Sequence, residues 1–388
     1  MIERTLSEHV HRGAKSMPVV AISGPRQSGK TTLVKHTFPD YPYVTFEDLE
    51  IREFSKSDPK GFLSQYSDGV ILDEIQYVPE LFSYIQIIVD EKRENGLFIL
   101  TGSQNFSFLS NVTQSLAGRV FLYELMPFSH KELRHSQFTM HSYEDYIFKG
   151  FYPRIYDHNL APSEWLNSYI KTYIERDVRE ISNLGNLSTF QQFLKICAGR
   201  TGQILNLSSI GDEIGISYHT VKKWLSILEA TYIIFLLPPF YKNLNKRITK
   251  SPKLYFYDTG LAAFLLGIRS VDQMHSHYLK GGLFETFILS ELKKQIFHRG
   301  KNIPLFFWRD HNGNEVDCLY EIGNDLTAIE IKSGRTIKNS FFSGLNYWRK
   351  LTATPSENLF LIYGGDENQS RSYGNVTSWR DLNFPNLD

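Results

Sequence analysis

The sequence predicts an α/β protein built in three parts: an α/β domain over residues 1–135, a helical module over 136–270 and a small α/β domain over 271–388. Three features carry this. Short apolar runs, as in strands buried on both faces, alternate with helix-length segments in the first third. A glycine-rich turn separates the first run from its helix. Far downstream, two stretches of alternating polarity flank Gly323-Asn324, a two-residue hairpin signal.

Val19-Val20-Ala21-Ile22 is the first apolar run, followed by Tyr43–Phe46, Val70–Leu72, Phe98–Leu100 and Val120–Tyr123. Helices are expected after Lys30 and over Pro79–Glu94. Five buried strands with helices between them argue a doubly wound parallel sheet. Beyond residue 140 the pattern becomes helical, as in Trp165–Ile174 and Phe190–Ala198, until Pro238-Pro239 and a basic, polar run, Lys242–Lys253. A helix over Gly282–Phe297 opens the third part, and strands follow. The end, Gly364–Asp388, is rich in Gly, Asn, Ser and acids, which predicts loose packing.

Composition narrows the function classes. Of 388 residues, 42 are basic and 42 acidic, so any polyanion-binding face must be local. An apolar fraction of 41% excludes wholesale disorder. Cys197 and Cys318, the only cysteines, make neither a disulfide framework nor a metal cluster, and a reducing, cytoplasmic setting is expected. The start has no apolar h-region, so no secretory signal is read there. The greasiest stretch, Tyr232–Leu237, is far too short for a bilayer, and no membrane partner is expected.

Gly24-Pro25-Arg26-Gln27-Ser28-Gly29-Lys30-Thr31 matches G-x-x-x-x-G-K-[ST], with a buried strand before it and a helix starting inside it; Thr32 continues that helix. The glycines let backbone N–H groups turn inward around phosphates, and the helix N-terminus adds partial positive charge. Lys30 would reach the β- and γ-phosphates of ATP, and the Thr31 hydroxyl would ligate Mg²⁺.

Gly69-Val-Ile-Leu-Asp73-Glu74 is an apolar strand ending in two acids. Asp73 would hold Mg²⁺ and Glu74 would polarise the attacking water. The next strand ends in Thr101-Gly-Ser103-Gln104-Asn105, where strand ends border the ligand crevice of a parallel sheet. Ser103 is the first choice to sense the γ-phosphate or orient water, with Thr101 and Asn105 as alternatives. Arg119, in Ser115-Leu-Ala-Gly-Arg119, suits an arginine finger and equally a surface arginine beside a turn.

Ser208–Leu225 reads as helix, turn, helix: Gly215 ends the first helix and Ser217 caps the second. Val221, Trp224, Leu225 and Leu228 share one face, leaving Tyr218, His219, Thr220, Lys222 and Lys223 outward, as a DNA recognition helix would present them. Residues 186–250 hold eight Lys/Arg against three Asp/Glu. Strands at 232–237 and 253–257, with Lys242, Lys246, Arg247 and Lys250 between them, would form a wing. A packing module with a solvated basic face fits as well.

With Gly323-Asn324 as the loop, Ile322 pairs with Asp325, and counting back sets Asp317 opposite Glu330 and Glu315 opposite Lys332. Opposed carboxylates repel unless something positive lies between them, and a divalent cation suits. An ordinary Glu315–Lys332 cross-strand pair on a solvated face is the alternative.

The motifs above, with Gly150-Phe-Tyr-Pro153, Tyr173-Ile-Glu-Arg176-Asp177 and Tyr257-Asp258-Thr259-Gly260, resemble bacterial and archaeal AAA-type P-loop ATPases that carry a C-terminal restriction-endonuclease-like domain. The resemblance covers nearly the whole chain. It implies a P-loop NTPase domain, a helical lid with a winged helix, and a nuclease-like domain in which Glu285, Asp317 and Glu330 with Lys332 form a second metal site. It also implies ATP binding and hydrolysis to ADP and phosphate; through the winged-helix and nuclease-like modules read above, turnover would be coupled to a transaction on double-stranded or branched DNA. A nucleotide-gated switch with an inactive nuclease fold is the alternative. No second sensor arginine follows the lid, so ring assembly does not follow from the resemblance.

Overall fold

A computed structural model describes residues 2–103, 105–174, 187–240, 250–385 and 387. The chain divides into two compact units. The first holds the residues up to Ser136 together with 230–232 and 294–301; the second holds 137–229, 233–293 and 302–388.

In the first unit the elements are α1 (Leu6–Ser16), β1 (Val19–Ser23), α2 (Lys30–Thr37), β2 (Tyr43–Thr45), α3 (Leu49–Ser57), α4 (Pro59–Ser64) and β3 (Val70–Asp73). There follow α5 (Leu81–Lys92), β4 (Phe98–Thr101), α6 (Asn105–Ser115), β5 (Val120–Glu124) and α7 (His130–Arg134). The strands form one parallel sheet in the order β2-β3-β4-β1-β5. Period-2 alternation sends β1 side chains to both faces. Val19 and Ala21 join Leu72, Phe98, Phe82 and Val112, whereas Val20 and Ile22 join Leu6, Val10, Leu33 and Ile99. The expectation of five buried strands is corrected at both edges of the sheet: of β2 only Val44 is buried, and β5 is the other edge strand, with Phe121 and Leu122 each 38% exposed. Its apolar run lacks a neighbour on one side.

The second unit begins with α8 (Tyr143–Lys149), α9 (Pro153–Asp157) and α10 (Pro162–Tyr169), the last running into a π-helical turn, Ile170–Ile174. Next come α11 (Leu187–Gly199), α12 (Leu207–Ile214), α13 (Tyr218–Ala230) and an antiparallel pair, β6 (Ile234–Leu237) with β7 (Lys253–Phe256). After α14 (Thr259–Leu265), α15 (Val271–Ser276) and α16 (Lys280–His298) stand β8 (Leu305–Arg309), β9 (Glu315–Ile322) and β10 (Asp325–Lys332). Then α17 (Ser343–Thr352) precedes β11 (Leu359–Tyr363), β12 (Gln369–Arg371) and β13 (Gly374–Ser378). Their sheet runs β12-β13-β11-β10-β9-β8.

The loosely packed end expected from composition is not observed. Val376, Trp379, Leu382 and Phe384 are buried, since apolar side chains are spaced among the polar ones and β13 pairs with β11. Two of the sequence motifs meet. Asp258 accepts from the Phe151 N–H at 2.7 Å and caps α14 through the Leu261 N–H at 2.8 Å. A Cβ on Gly260 would lie 2.7 Å from Gly150 Cα, so both glycines serve a close backbone approach. Both cysteines are free and buried. Among the described residues no helix is long and apolar enough to cross a membrane.

Candidate nucleotide site

The loop between β1 and α2 leaves the carboxyl end of a central strand. Gly24 (φ +146°) and Gly29 (φ +93°) take conformations that suit glycine, and a Cβ on Gly24 would stand 2.2 Å from the Leu125 carbonyl. Pro25 and Ser28 are buried, Arg26, Gln27 and Gly29 half-buried, and Gln27 is itself left-handed (φ +63°). Lys30, the first residue of α2, is buried and curls back to donate to Gly24 O (3.0 Å) and Pro25 O (2.9 Å). A lysine folded into its own loop can exchange those carbonyls for phosphate oxygens. Ser28 Oγ is buried with no hydrogen-bond partner among the described residues. Thr32 faces outward.

Because β3, β4 and β1 are neighbours, the residues closing each strand meet. Thr31 Oγ1 donates to Asp73 Oδ2 at 2.9 Å, Tyr43 Oη donates to the same oxygen at 2.6 Å, and Thr101 Oγ1 donates to Asp73 Oδ1. Burial and the Asp73 carboxylate push the Tyr43 hydroxyl up, which keeps it a donor, and Lys35 Nζ lies 3.4 Å above its ring. A hydroxyl and a carboxylate side by side are hard oxygen donors, the set that suits Mg²⁺.

Glu74 is left-handed (φ +57°), an uncommon state for a residue with a Cβ, and the turn aims its side chain sideways along the strand ends. There Glu74 Oε2 accepts from Ser103 Oγ at 2.8 Å and from Gln76 Nε2. Thr101 is thus an Asp73 partner and Ser103 a Glu74 partner. Asn105 and Gln104 lie outside the described side chains.

Arg119 is not brought to this site. It precedes β5, and the register Val19↔Val120 puts it at the amino end of the sheet, opposite the loop that follows Ser23↔Glu124. It makes a two-pronged pair with Asp90, at 2.6 and 2.9 Å.

The supports behind the loop come from residues outside every motif of the sequence. Arg4, from the chain's start, donates to Ser28 O (2.8 Å) and Met126 O (2.6 Å), and its Nε lies 3.3 Å from Glu132 Oε1. Glu132 also accepts from Thr5 N and lies 3.5 Å from His298 Nδ1. Although burial opposes it, Arg4 and His298 hold the Glu132 carboxyl well below its usual range, while burial lowers His298. Tyr232, another left-handed residue (φ +57°), sets its hydroxyl 3.0 Å from Ser23 Oγ and donates to Glu124 at 3.1 Å. No local motif marks these residues; the partners are distant in sequence.

Elsewhere, α12 and α13 form the expected pair. Gly215 (φ +70°) ends the first, and the Thr220 N–H donates to Ser217 Oγ at 3.1 Å. Val221, Trp224, Leu225 and Leu228 are buried; His219, Lys222 and Lys223 are exposed and Thr220 half-exposed. The pair β6/β7 follows, but Lys242, Lys246, Arg247 and the motif residues 175–177 lie outside the described residues.

The hairpin register is the one counted: Asp325↔Ile322 through Ile329↔Cys318, so that Glu330 and Asp317 come next. Asp317 Oδ2 accepts from Ile331 N at 2.7 Å. Lys332 Nζ lies 2.5 Å from Glu330 Oε1 and 3.5 Å from Asp317 Oδ2. Two expectations are revised. Glu315 pairs not with Lys332 but with Arg309 (3.1 Å) and Lys253. Lys253, read as the end of a basic, polar run, is 3% exposed and lies among the acids, 3.0 Å from Glu285 Oε1 and 3.9 Å from Asp317 Oδ1. A divalent ion joining Glu285 to Asp317 would contend with that ammonium. Among the described residues no group of three or more acids, histidines or cysteines is arranged to hold a metal. Gly344 packs its backbone here: a Cβ would stand 2.1 Å from Glu315 O and 2.6 Å from Glu330 Oε2.

Residues 16–134, which hold the loop and both acids, match a family described as an AAA domain. This part of the chain is an AAA-type P-loop domain. Beyond the AAA domain, residues 140–272 and 280–382 match two families, each described as a domain of unknown function. Uncharacterized proteins of Mycobacterium tuberculosis and Mycobacterium bovis are each 28% identical over 334 residues, 86% of this chain and 74% of theirs. Among solved structures, a Walker-type ATPase of Pyrococcus abyssi aligns at TM-score 0.45 and 16% identity, over 68% of this chain and 96% of that one. AMPPCP-bound DnaA of Aquifex aeolicus aligns at TM-score 0.31 and 15% identity, over 58% and 85%.

Proposed function

We propose that the protein is an ATPase that hydrolyses ATP to ADP and phosphate at the loop of the AAA domain and couples turnover to DNA. The observation that carries this is the convergence of Lys30, Thr31, Asp73 and Glu74 at the carboxyl ends of adjacent strands. Inward N–H groups and Lys30 would bind the phosphates and neutralise charge on the transferred group. Thr31 and Asp73 would hold Mg²⁺, which as a Lewis acid would polarise the γ-phosphoryl oxygens. Glu74, steadied by Ser103 and Gln76, would orient water for attack on the γ-phosphorus and accept its proton as ADP leaves. Arg119 has no part within its own chain.

The α12–α13 pair supports DNA as the coupled partner. Its second helix turns His219, Lys222 and Lys223 outward from a buried stripe, with Thr220 beside them. Cleavage is not part of this reading, because Lys253 stands among the acids a nuclease would need.

ATP turnover of the purified protein with Mg²⁺, with and without duplex and branched DNA, tests the reading. Lys30→Ala should abolish turnover, and Glu74→Gln should keep nucleotide binding while slowing hydrolysis at least ~100-fold. Wild-type rates in both variants would overturn the site. DNA affinity that follows the nucleotide without turnover would make the protein a switch.

A further inference from the structure

In the second unit, one ammonium serves three carboxylates. Lys253 Nζ, from β7, contacts Glu315 Oε1 and lies 3.0 Å from Glu285 Oε1 of α16 and 3.9 Å from Asp317 Oδ1 of β9. The Phe307 ring lies 5.4 Å from it and Tyr255 donates to Glu285 at 2.5 Å, so apolar and hydrogen-bonded walls fix the position. Lys332 and Arg309 neutralise the flanks. Among the described residues, Glu330 Oε2 is buried with no hydrogen-bond partner.

A lysine is an uncommon occupant of so buried a place, since desolvating an ammonium is costly and is offset only where acids surround it. A hard divalent ion draws oxygens of the same kind, at roughly 2.0–2.1 Å for Mg²⁺. Held 3.0 Å from Glu285 and nearer still to Glu315, Lys253 leaves no room for that ion and repels it.

We propose that Lys253 is the resident counter-cation of this cluster, closing Glu285, Asp317 and Glu330 to divalent metal, and that removing its charge opens a site for a hard cation such as Mn²⁺. The lysine comes from the strand that follows the helix pair, so the closure is made within the second unit and is independent of the nucleotide reading.

The test uses the full chain without nucleotide and titrates Mn²⁺, following the free ion by electron paramagnetic resonance. Lys253→Met should gain one Mn²⁺ per chain over the wild type, and that gain should vanish when Asp317→Asn is added. Wild-type protein that already binds Mn²⁺ in an Asp317-dependent way would overturn the proposal, as would a Lys253→Met protein that gains none. If Lys253→Met does not fold, Lys253→Met with Glu315→Gln removes one uncompensated charge and leaves the three named acids. Mn²⁺ should then raise its thermal midpoint and leave the wild type's unchanged; a midpoint that Mn²⁺ does not move would overturn the proposal. ATP turnover in these variants reads the other site, so the two ideas fail separately.

Discussion

Tyr43 donates to Asp73 Oδ2 at 2.6 Å, on the same oxygen that Thr31 uses at 2.9 Å. A carboxylate oxygen with two hydroxyl donors is fixed in orientation, and a bond to a charged group contributes about 1.5–3 kcal/mol. Tyr43→Phe should therefore raise the Mg²⁺ concentration for half-maximal ATP turnover several-fold and leave kcat at saturating Mg²⁺ within about twofold. Initial rates across a Mg²⁺ series decide this, and an unchanged requirement would remove Tyr43 from the site.

Arg4 binds two backbone carbonyls and a buried acid at once. Arg4→Ala leaves the Glu132 carboxylate buried without its main cation, a change that costs about 3–5 kcal/mol. Urea unfolding should show that loss, and Arg4→Lys, which keeps the charge without the fork, should fall between. A midpoint within error of the wild type would mean the network carries no net stability.

Burial and the neighbouring Asp317 push the Glu330 carboxyl up to about 8, from an ordinary 4.5. The folded state thus holds a proton that the unfolded chain releases. This contribution is complete below pH 4.5 and is lost as pH rises toward and through 8. Thermal midpoints should decline over that window in the wild type. The decline should flatten in Glu330→Gln, which stays neutral throughout.

On the second helix of the α12–α13 pair, Lys222→Ala with Lys223→Ala should weaken duplex binding and make it less steep in salt. Each lost phosphate contact removes about 0.9 from the slope of log affinity against log salt. Fluorescence anisotropy at four salt concentrations measures both, and superimposed curves would reassign the helix pair to packing.

The parts of the fold that depend on neighbours in sequence were legible. The phosphate loop follows from its spacing, and the carboxylate register from one pair, Gly323-Asn324, because strand pairing repeats every two residues. What escaped is whatever arrives from elsewhere in the chain. Lys253 looks like one more basic residue in a polar run, and only the packing of β7 reveals its acids. Arg4 lies in an unremarkable stretch, Tyr232 reads as one more apolar residue of the run 232–237, and Phe121 and Leu122 match a buried strand's pattern while occupying an edge. The tail misled for a related reason: average composition hides four well-spaced apolar anchors.

At Gly344 there is no space for a side chain: a Cβ would stand 2.1 Å from the Glu315 carbonyl oxygen and 2.6 Å from Glu330 Oε2. A saturation scan would therefore score position 344 as intolerant of every side chain, alanine included, since the first carbon added meets a backbone carbonyl and must lift the helix from the sheet. Such a score has the signature of an active-site residue. Here it would report only how close a helix must stand to a strand for the charges beneath to stay dry.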